Sequence, residues 1–389
     1  MECSTTTYLP RLALLAGLTC GLPATAQSPL LMNAFEVDRA GTTLVGGART
    51  TLIDRNGNVI ACIAEQSPRE AVARLDGPGF LVRGNNDVAQ MNGRGEYEWR
   101  VGTGFFGAAL PLREGGAMTW NVRMGSNVVE FRRLDVAGID VWRVEPLRTA
   151  DPAQLEMLVD DRGRTIYSLP VGRTQQGCRS EVGMLDASGQ LTWSQQELQA
   201  SCTAGALADD GRGDFWWYLR PTFFRISPWG LPLASYQASA LTPAAQIWYR
   251  PASAGGDALW TRADTADGSV DLVRLLPEGK SARFRTGHNV VTQVVADGDR
   301  AWIAANTQKF GGNEEYTIDQ YSAAGRRWSR TIPGPLLARL RVQPGADLRL
   351  LSRERNGISV RRISADNGHV MWKLSAADLQ RGCDALTDQ

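Results

Sequence analysis

Histidine is almost missing from this chain: His288 and His369 are the two present in 389 residues. Two imidazoles so far apart, the second in a predicted hairpin turn, make a poor metal centre and leave little for acid–base chemistry near neutrality. Lysine is scarce as well, with Lys280, Lys309 and Lys373 alone among 42 basic residues. The net charge is +1, so no overall field steers nucleic acid or an anionic membrane towards the protein. Beyond the first two dozen residues no apolar run is long enough to cross a bilayer as a helix. There is no adjacent cysteine pair, Gly-x-Ser-x-Gly elbow, phosphate-cradling loop, Ser-His-Asp order or zinc-ligand spacing. Helical periodicity is rare; Pro152–Leu158 and Ser375–Leu379 read as short helical turns.

The N-terminus has a pattern of its own. Arg11 precedes an apolar run from Leu12 to Leu22, and Ala24-Thr25-Ala26 places small residues where a signal peptidase reads. This predicts a cleaved signal peptide over residues 1–26 and one domain over 27–389, exported to the periplasm or the cell exterior. Cys20 follows Gly17-Leu18-Thr19, a poor fit to a lipid-attachment motif. Four cysteines remain: Cys62, Cys178, Cys202 and Cys383. An even number in an exported protein predicts two disulfides. Three pairings are open. The favoured one joins Cys178 to Cys202, both near the fourth repeat, and Cys62 in the first repeat to Cys383 just past the last.

The repeats themselves carry the most information. Leu185-Asp186-Ala187-Ser188-Gly189-Gln190-Leu191-Thr192-Trp193 and Ile363-Ser364-Ala365-Asp366-Asn367-Gly368-His369-Val370-Met371-Trp372 share one layout. An apolar strand enters a polar turn, the turn closes on glycine, and a tryptophan follows on the next strand. The turn glycines are Gly57, Gly95, Gly138, Gly189, Gly230, Gly279, Gly325 and Gly368, spaced about 44 residues apart, the length of one four-stranded propeller blade. Tryptophan follows at Trp99, Trp142, Trp193, Trp328 and Trp372, while Ile60, Leu233 and Phe284 stand near that place in the three weaker copies. Glycine supplies the positive φ of a tight hairpin, and the preceding Asp or Asn bonds its own turn. A large indole on an outer strand would fill the gap between diverging sheets. The prediction is an all-β fold, an eight-bladed β-propeller of four-stranded antiparallel blades closed near its termini, with seven blades as the runner-up.

These repeats resemble the pyrroloquinoline-quinone-like (PQQ-like) β-propeller repeat, roughly Ala-x-Asp-x-x-x-Gly-x-x-x-Trp. The match is good at 185–193 and 363–372 and fair at 91–99, 134–142 and 321–328. That family includes quinoprotein dehydrogenases and a non-catalytic eight-bladed lipoprotein of the outer-membrane β-barrel assembly machine. The dehydrogenases are much longer and carry a cysteine pair over the quinone that this chain lacks. The resemblance therefore implies a degenerate, non-catalytic member.

Other features have plainer readings. His288, in Thr286-Gly287-His288-Asn289, is a candidate ligand contact beside a channel mouth, or an ordinary loop histidine. Phe215-Trp216-Trp217-Tyr218 is the densest aromatic patch. Trp216 and Trp217 are candidate ligand contacts if exposed, and blade packing if not. Asp264-Thr265-Ala266-Asp267-Gly268-Ser269-Val270-Asp271 loosely suggests Ca²⁺ but lacks a full ligand series. Arg132-Arg133, Arg326-Arg327 and Arg361-Arg362 read as solvated edges. No metal site and no cofactor is expected. The functional expectation is a monomeric, exported binding or scaffolding module for a protein or small ligand at the rim or channel. The alternative is an enzyme with a channel-mouth site, either a quinone-dependent dehydrogenase or a hydrolase or lyase.

Overall fold

The computed structural model describes residues 34–387 apart from positions 48 and 266 and the stretches 65–67, 104–106, 124–126, 150–154, 200–204, 210–212, 220–221, 238–258, 277–279, 308–314, 334–336, 344–346 and 355–356. The described strands form eight antiparallel sheets, each built from strands consecutive in the chain. Seven sheets have four strands. The sixth has three, β21 (Leu259–Asp264), β22 (Val270–Leu275) and β23 (Ser281–His288), and the stretch before it lies outside the described residues.

The first strand of each blade lies innermost. Strands β1 (Phe35–Val37), β5 (Glu70–Ala73), β9 (Gly107–Pro111), β13 (Glu156–Val159) and β17 (Ala206–Asp209) neighbour one another in that order, β24 (Val291–Asp297) neighbours β28 (Leu337–Val342), and β28 returns to β1. First and last blades are thus adjacent, and the ring is an eight-bladed propeller. Each blade is apolar on both faces and buries them against its neighbours. One core cluster, for example, joins Phe35 and Val45 of blade 1 to Leu351 and Val360 of blade 8.

The repeated turn explains the spacing of the blades. Seven of the eight turn glycines have positive φ, between 71° at Gly368 and 111° at Gly325; Gly279 lies outside the described residues. Three residues before the glycine, Asp54, Asn92, Asp135 and Asp186 each accept two backbone amides of their own turn. The tryptophan of one blade then lies on the turn glycine of the next. A Cβ on Gly138 would stand 2.8 Å from Trp99, one on Gly189 2.9 Å from Trp142, one on Gly230 2.7 Å from Trp193, and one on Gly368 2.8 Å from Trp328. The indole N–H reaches the same turn: Trp142 donates to Ala187 O, Trp193 to Pro228 O and Trp328 to Ala365 O. Glycine is needed there twice over, for its backbone conformation and for the indole above it.

The weaker copies correct the sequence reading by one residue. Beneath Gly95 the neighbour is Ala61, with Leu52 and Ile63, and not Ile60, which is 38% exposed. Leu233 is 49% exposed and also lies outside the seam. Neighbouring residues on a strand face opposite ways, so an offset of one turns a wedge into a surface residue. Phe284 does pack inward, against Trp260 and Tyr321.

Two other expectations change. The stretch read as a helical turn before Leu158 contributes Glu156–Val159 to a strand, while the helix after Ser375 is longer than expected, α1 (Ala376–Thr387). Arg361 and Arg362 are buried and not solvated. Arg362 pairs with Asp347 at 2.5 Å and donates to Arg55 O of blade 1. Arg133 likewise pairs with Glu114 and crosses to Ala187 O of the next blade. These arginines tie blades together because their acidic and carbonyl partners lie on neighbouring strands and turns.

Candidate functional site: two clefts beside the first blade

Blade 1 has the shortest described strands of any four-stranded blade. β2 (Thr43–Val45) has three residues and β3 (Thr50–Ile53) four, joined through Gly46 and Gly47. The corresponding strands of blade 2, β6 (Gly79–Arg83) and β7 (Asp87–Asn92), have five and six, and those of blade 4, β14 (Thr165–Thr174) and β15 (Gly177–Leu185), ten and nine. A short sheet stops before its neighbours do and leaves their faces uncovered. The uncovered end is the one with the β6–β7 turn, opposite the glycine–indole turns. A cleft opens there on each flank of blade 1.

The cleft towards blade 2 has a volume of about 310 Å³. Val82 and Ala89 form an apolar floor, Pro68 and Tyr97 flank it, and the turn Gly84-Asn85-Asn86-Asp87 forms the rim. Arg100 lies 4.4 Å over the Tyr97 ring and its Nε is 3.2 Å from Asp87 Oδ2. Gly84 is required by this arrangement, because a Cβ there would fall 2.0 Å from Asp87 Oδ1. Asn85 and Asn86 are exposed. The cleft towards blade 8 measures about 250 Å³ and is more apolar, bounded by Val45, Gly46, Gly47, Ile358, Leu379 and Cys383.

The same sector of the ring carries charges on its innermost strands. Glu36 on β1 pairs with Arg341 on β28 at 3.1 Å. Burial pushes the Glu36 carboxyl up against the pull of Arg341. Burial also pushes Arg339 down, helped by Arg341 and opposed by Glu70. One blade earlier the tie is neutral: Gln293 donates to Leu340 O at 2.8 Å and accepts from Leu340 N at 2.7 Å.

Residues singled out from the sequence lie elsewhere or nearby. Cys62, on β4 (Val59–Ile63), and Cys383, on α1, form a disulfide with Cα atoms 5.5 Å apart, beside the blade 8 cleft. Cys178 is buried and disulfide-bonded, and Cys202 lies outside the described residues. Trp216 and Trp217 are 2% and 1% exposed, taken up on opposite faces of blade 5 by two different core clusters. They offer no open ring to a ligand. His288 reaches across from blade 6, its Nε2 2.9 Å from the fully buried carboxylate of Asp319 in blade 7. Asp319 Oδ1 has no protein partner, and Arg326 stands 3.5 Å from Oδ2. This is an inter-blade tie well apart in sequence and ring position from the clefts.

Among the described residues no three His, Cys, Asp or Glu side chains converge as metal ligands. In the 264–271 loop, Asp267 takes the Thr265 and Ser269 hydroxyls and the Ser269 amide, which together hold its carboxyl well below the usual range. The cleft residues Gly84–Asp87, Tyr97 and Arg100 were not singled out from the sequence. Their one visible signal is the Gly46-Gly47 pair between two unusually short strands.

No family model and no curated protein sequence matches this chain. Among solved structures, it is similar to the apo form of AztD from Citrobacter koseri, with a TM-score of 0.58 at 11% identity over 88% of this chain and 94% of that one. It is also similar to a eukaryotic initiation factor, with a TM-score of 0.55 at 9% identity over 87% of this chain and 86% of that one. Likeness at such identity belongs to the fold, and what these comparisons establish is a β-propeller.

Proposed function

We propose that this chain is a degenerate PQQ-like propeller acting as a non-catalytic binding module in an oxidising, extracytoplasmic compartment. It presents the clefts beside blade 1 to a ligand or protein partner. The observation that carries this reading is the pair of clefts flanking a shortened blade, one of them beside the Cys62–Cys383 disulfide. A rigid rim around an opening is what recognition needs, since ordering costs on binding are then small. The bridge between Cys62 and Cys383 supports an oxidising location, as does the signal-peptide pattern over residues 1–26. One solved structure with this fold is described as an apo form.

Site-specific photo-crosslinking in the native compartment tests it. A crosslinker at Asn86, on the rim of the blade 2 cleft, should give a discrete adduct. The same group at Arg327, exposed on the outer strand of blade 7, should give none. Adducts at Arg327 alone, or at neither position, would overturn the reading.

A further inference from the structure

We propose that the cleft on the blade 2 face that the short blade 1 leaves uncovered is a binding site for a neutral saccharide of one or two rings. This deepens the preceding reading and rests on it.

Size sets the first limit. A volume of about 310 Å³ is at the lower end of ligand pockets, roughly 300–1,000 Å³, so the occupant is small. Charge sets the second. Among the described lining residues Asp87 is the one acid and Arg100 the one base, and they are paired with each other. An anion would compete with Asp87 for the guanidinium, and a cation would compete with Arg100 for the carboxylate. Neither finds an uncompensated charge among the described lining residues. The third limit is hydrogen-bonding character. Asn85 and Asn86 each bring an amide that both donates and accepts, and the paired carboxylate and guanidinium are planar and fixed in orientation. Vicinal hydroxyls also donate and accept, and they match planar two-point partners. Beneath the polar rim, Pro68, the edge of Tyr97, whose one ring face Arg100 covers, and a small part of Val82 and Ala89 supply a limited apolar surface that suits the C–H groups of one sugar ring.

An extended peptide fits less well. Recognition by strand addition needs an open strand edge; β6 and β7, which carry the floor and the rim, are paired on both sides, and the open edge belongs to the outer strand β8 (Tyr97–Gly102). The tight Gly84–Asp87 hairpin also closes one end of the cleft. The cradle is built: Asp87 Oδ1 occupies the space that any side chain at position 84 would take, so glycine there keeps the carboxylate folded back and the opening clear.

The test uses the full exported chain, labelled and applied to an array of neutral mono- to tetrasaccharides, followed by titration calorimetry with the strongest spot. The Asn85→Ala/Asn86→Ala double variant removes two exposed amides and leaves the core alone, and Gly84→Ala displaces Asp87. Circular dichroism confirms that each variant is folded. The expected result is saccharide binding that weakens about tenfold or more in the double variant, with inorganic phosphate giving no heat. Failure of every neutral saccharide to exceed the double variant's signal overturns the proposal. So does binding unchanged by both variants, or binding of a tripeptide in place of sugars. If the Asn86 crosslinker captures a partner while no saccharide binds, the saccharide falls and the binding-face reading stands. If neither occurs, both fall.

Discussion

The seam between blades 4 and 5 and the seam between blades 8 and 1 are built on one contact. Trp193 lies on Gly230 and donates to Pro228 O; Trp372 lies on Gly57 and donates to Arg55 O. Around the first, Phe215 stacks on Trp193 and Gln195 donates to Gly230 O, and the chain itself runs from one blade into the next. Around the second, no covalent backbone joins the blades, and other ties are added. Arg349 is fully buried between the two blades, donating to Gly41 O and to the Thr43 hydroxyl. Burial pushes its guanidinium down to about 10. Gln343 donates to Arg39 O, Arg362 to Arg55 O, and Arg341 pairs with Glu36. Helix α1 then lies on β4 so closely that a Cβ on Gly382 would stand 2.5 Å from Val59, and Cys383 bonds Cys62. An interior seam is held at high effective concentration by a short connection. The closing seam spans 321 residues and has to recover the same proximity by contact and cross-link.

That difference sets the order of the expected effects. Replacing Cys62 and Cys383 together by serine should lower stability by about 5 kcal/mol, the chain-entropy figure for so long a loop, measured by guanidinium unfolding. A loss under about 1 kcal/mol would show that the non-covalent ties suffice. Trp193→Ala should cost about 3 kcal/mol at the interior seam whether or not Cys62 and Cys383 are replaced by serine. Trp372→Ala should cost a similar amount with the Cys62–Cys383 bridge in place and more in the double-serine background. Equal sensitivity to loss of that bridge at both sites would remove the distinction. Gly230→Ala combines a φ of +79° with a Cβ 2.7 Å from Trp193. It should cost about 2 kcal/mol; the part due to the indole should vanish in a Trp193→Ala background and the part due to the backbone should stay.

The smallest effect lies at the start of α1. Asp378 accepts the Ser375 hydroxyl and backbone amide and pairs with Arg381, a capping arrangement that holds its carboxyl down at about 2. Its contribution to helix docking is complete above its ordinary value of 3.8 and is lost as pH falls through about 2. Amide exchange over Leu379–Cys383 should quicken in that window, and Asp378→Asn should flatten the dependence.

The ring was legible in the sequence because its seams reuse one turn. Gly138, Gly189, Gly230 and Gly368 with the indoles above them are local patterns, and a period of about 44 residues needs no knowledge of distant contacts. Where the pattern thinned, reading failed by one position, as at Ile60 and Ala61. Arg361 and Arg362 looked like surface charge because the groups that bury them are distant in sequence or pattern: Glu354 and Asp347 come from the neighbouring strand and turn of blade 8, and the Arg55 carbonyl arrives only when blades 8 and 1 meet. The clefts were harder still. They arise from strands that stop early, and a deficit in β2 and β3 has meaning only beside the longer sheets that flank them.

Seven blades are each completed by four successive strands, and none borrows a strand from the far end of the chain. Every such sheet can therefore finish as soon as its own stretch of polypeptide emerges. The topology thus permits assembly from one end of the chain to the other, with the final helix as the last piece set in place. A chain halted before residue 376 would hold all eight sheets and the contacts of Arg349, Arg362 and Trp372 with blade 1, yet lack the bridge to Cys62, which leaves the joint beside blade 1 as the step that a folding catalyst or a protease would meet last.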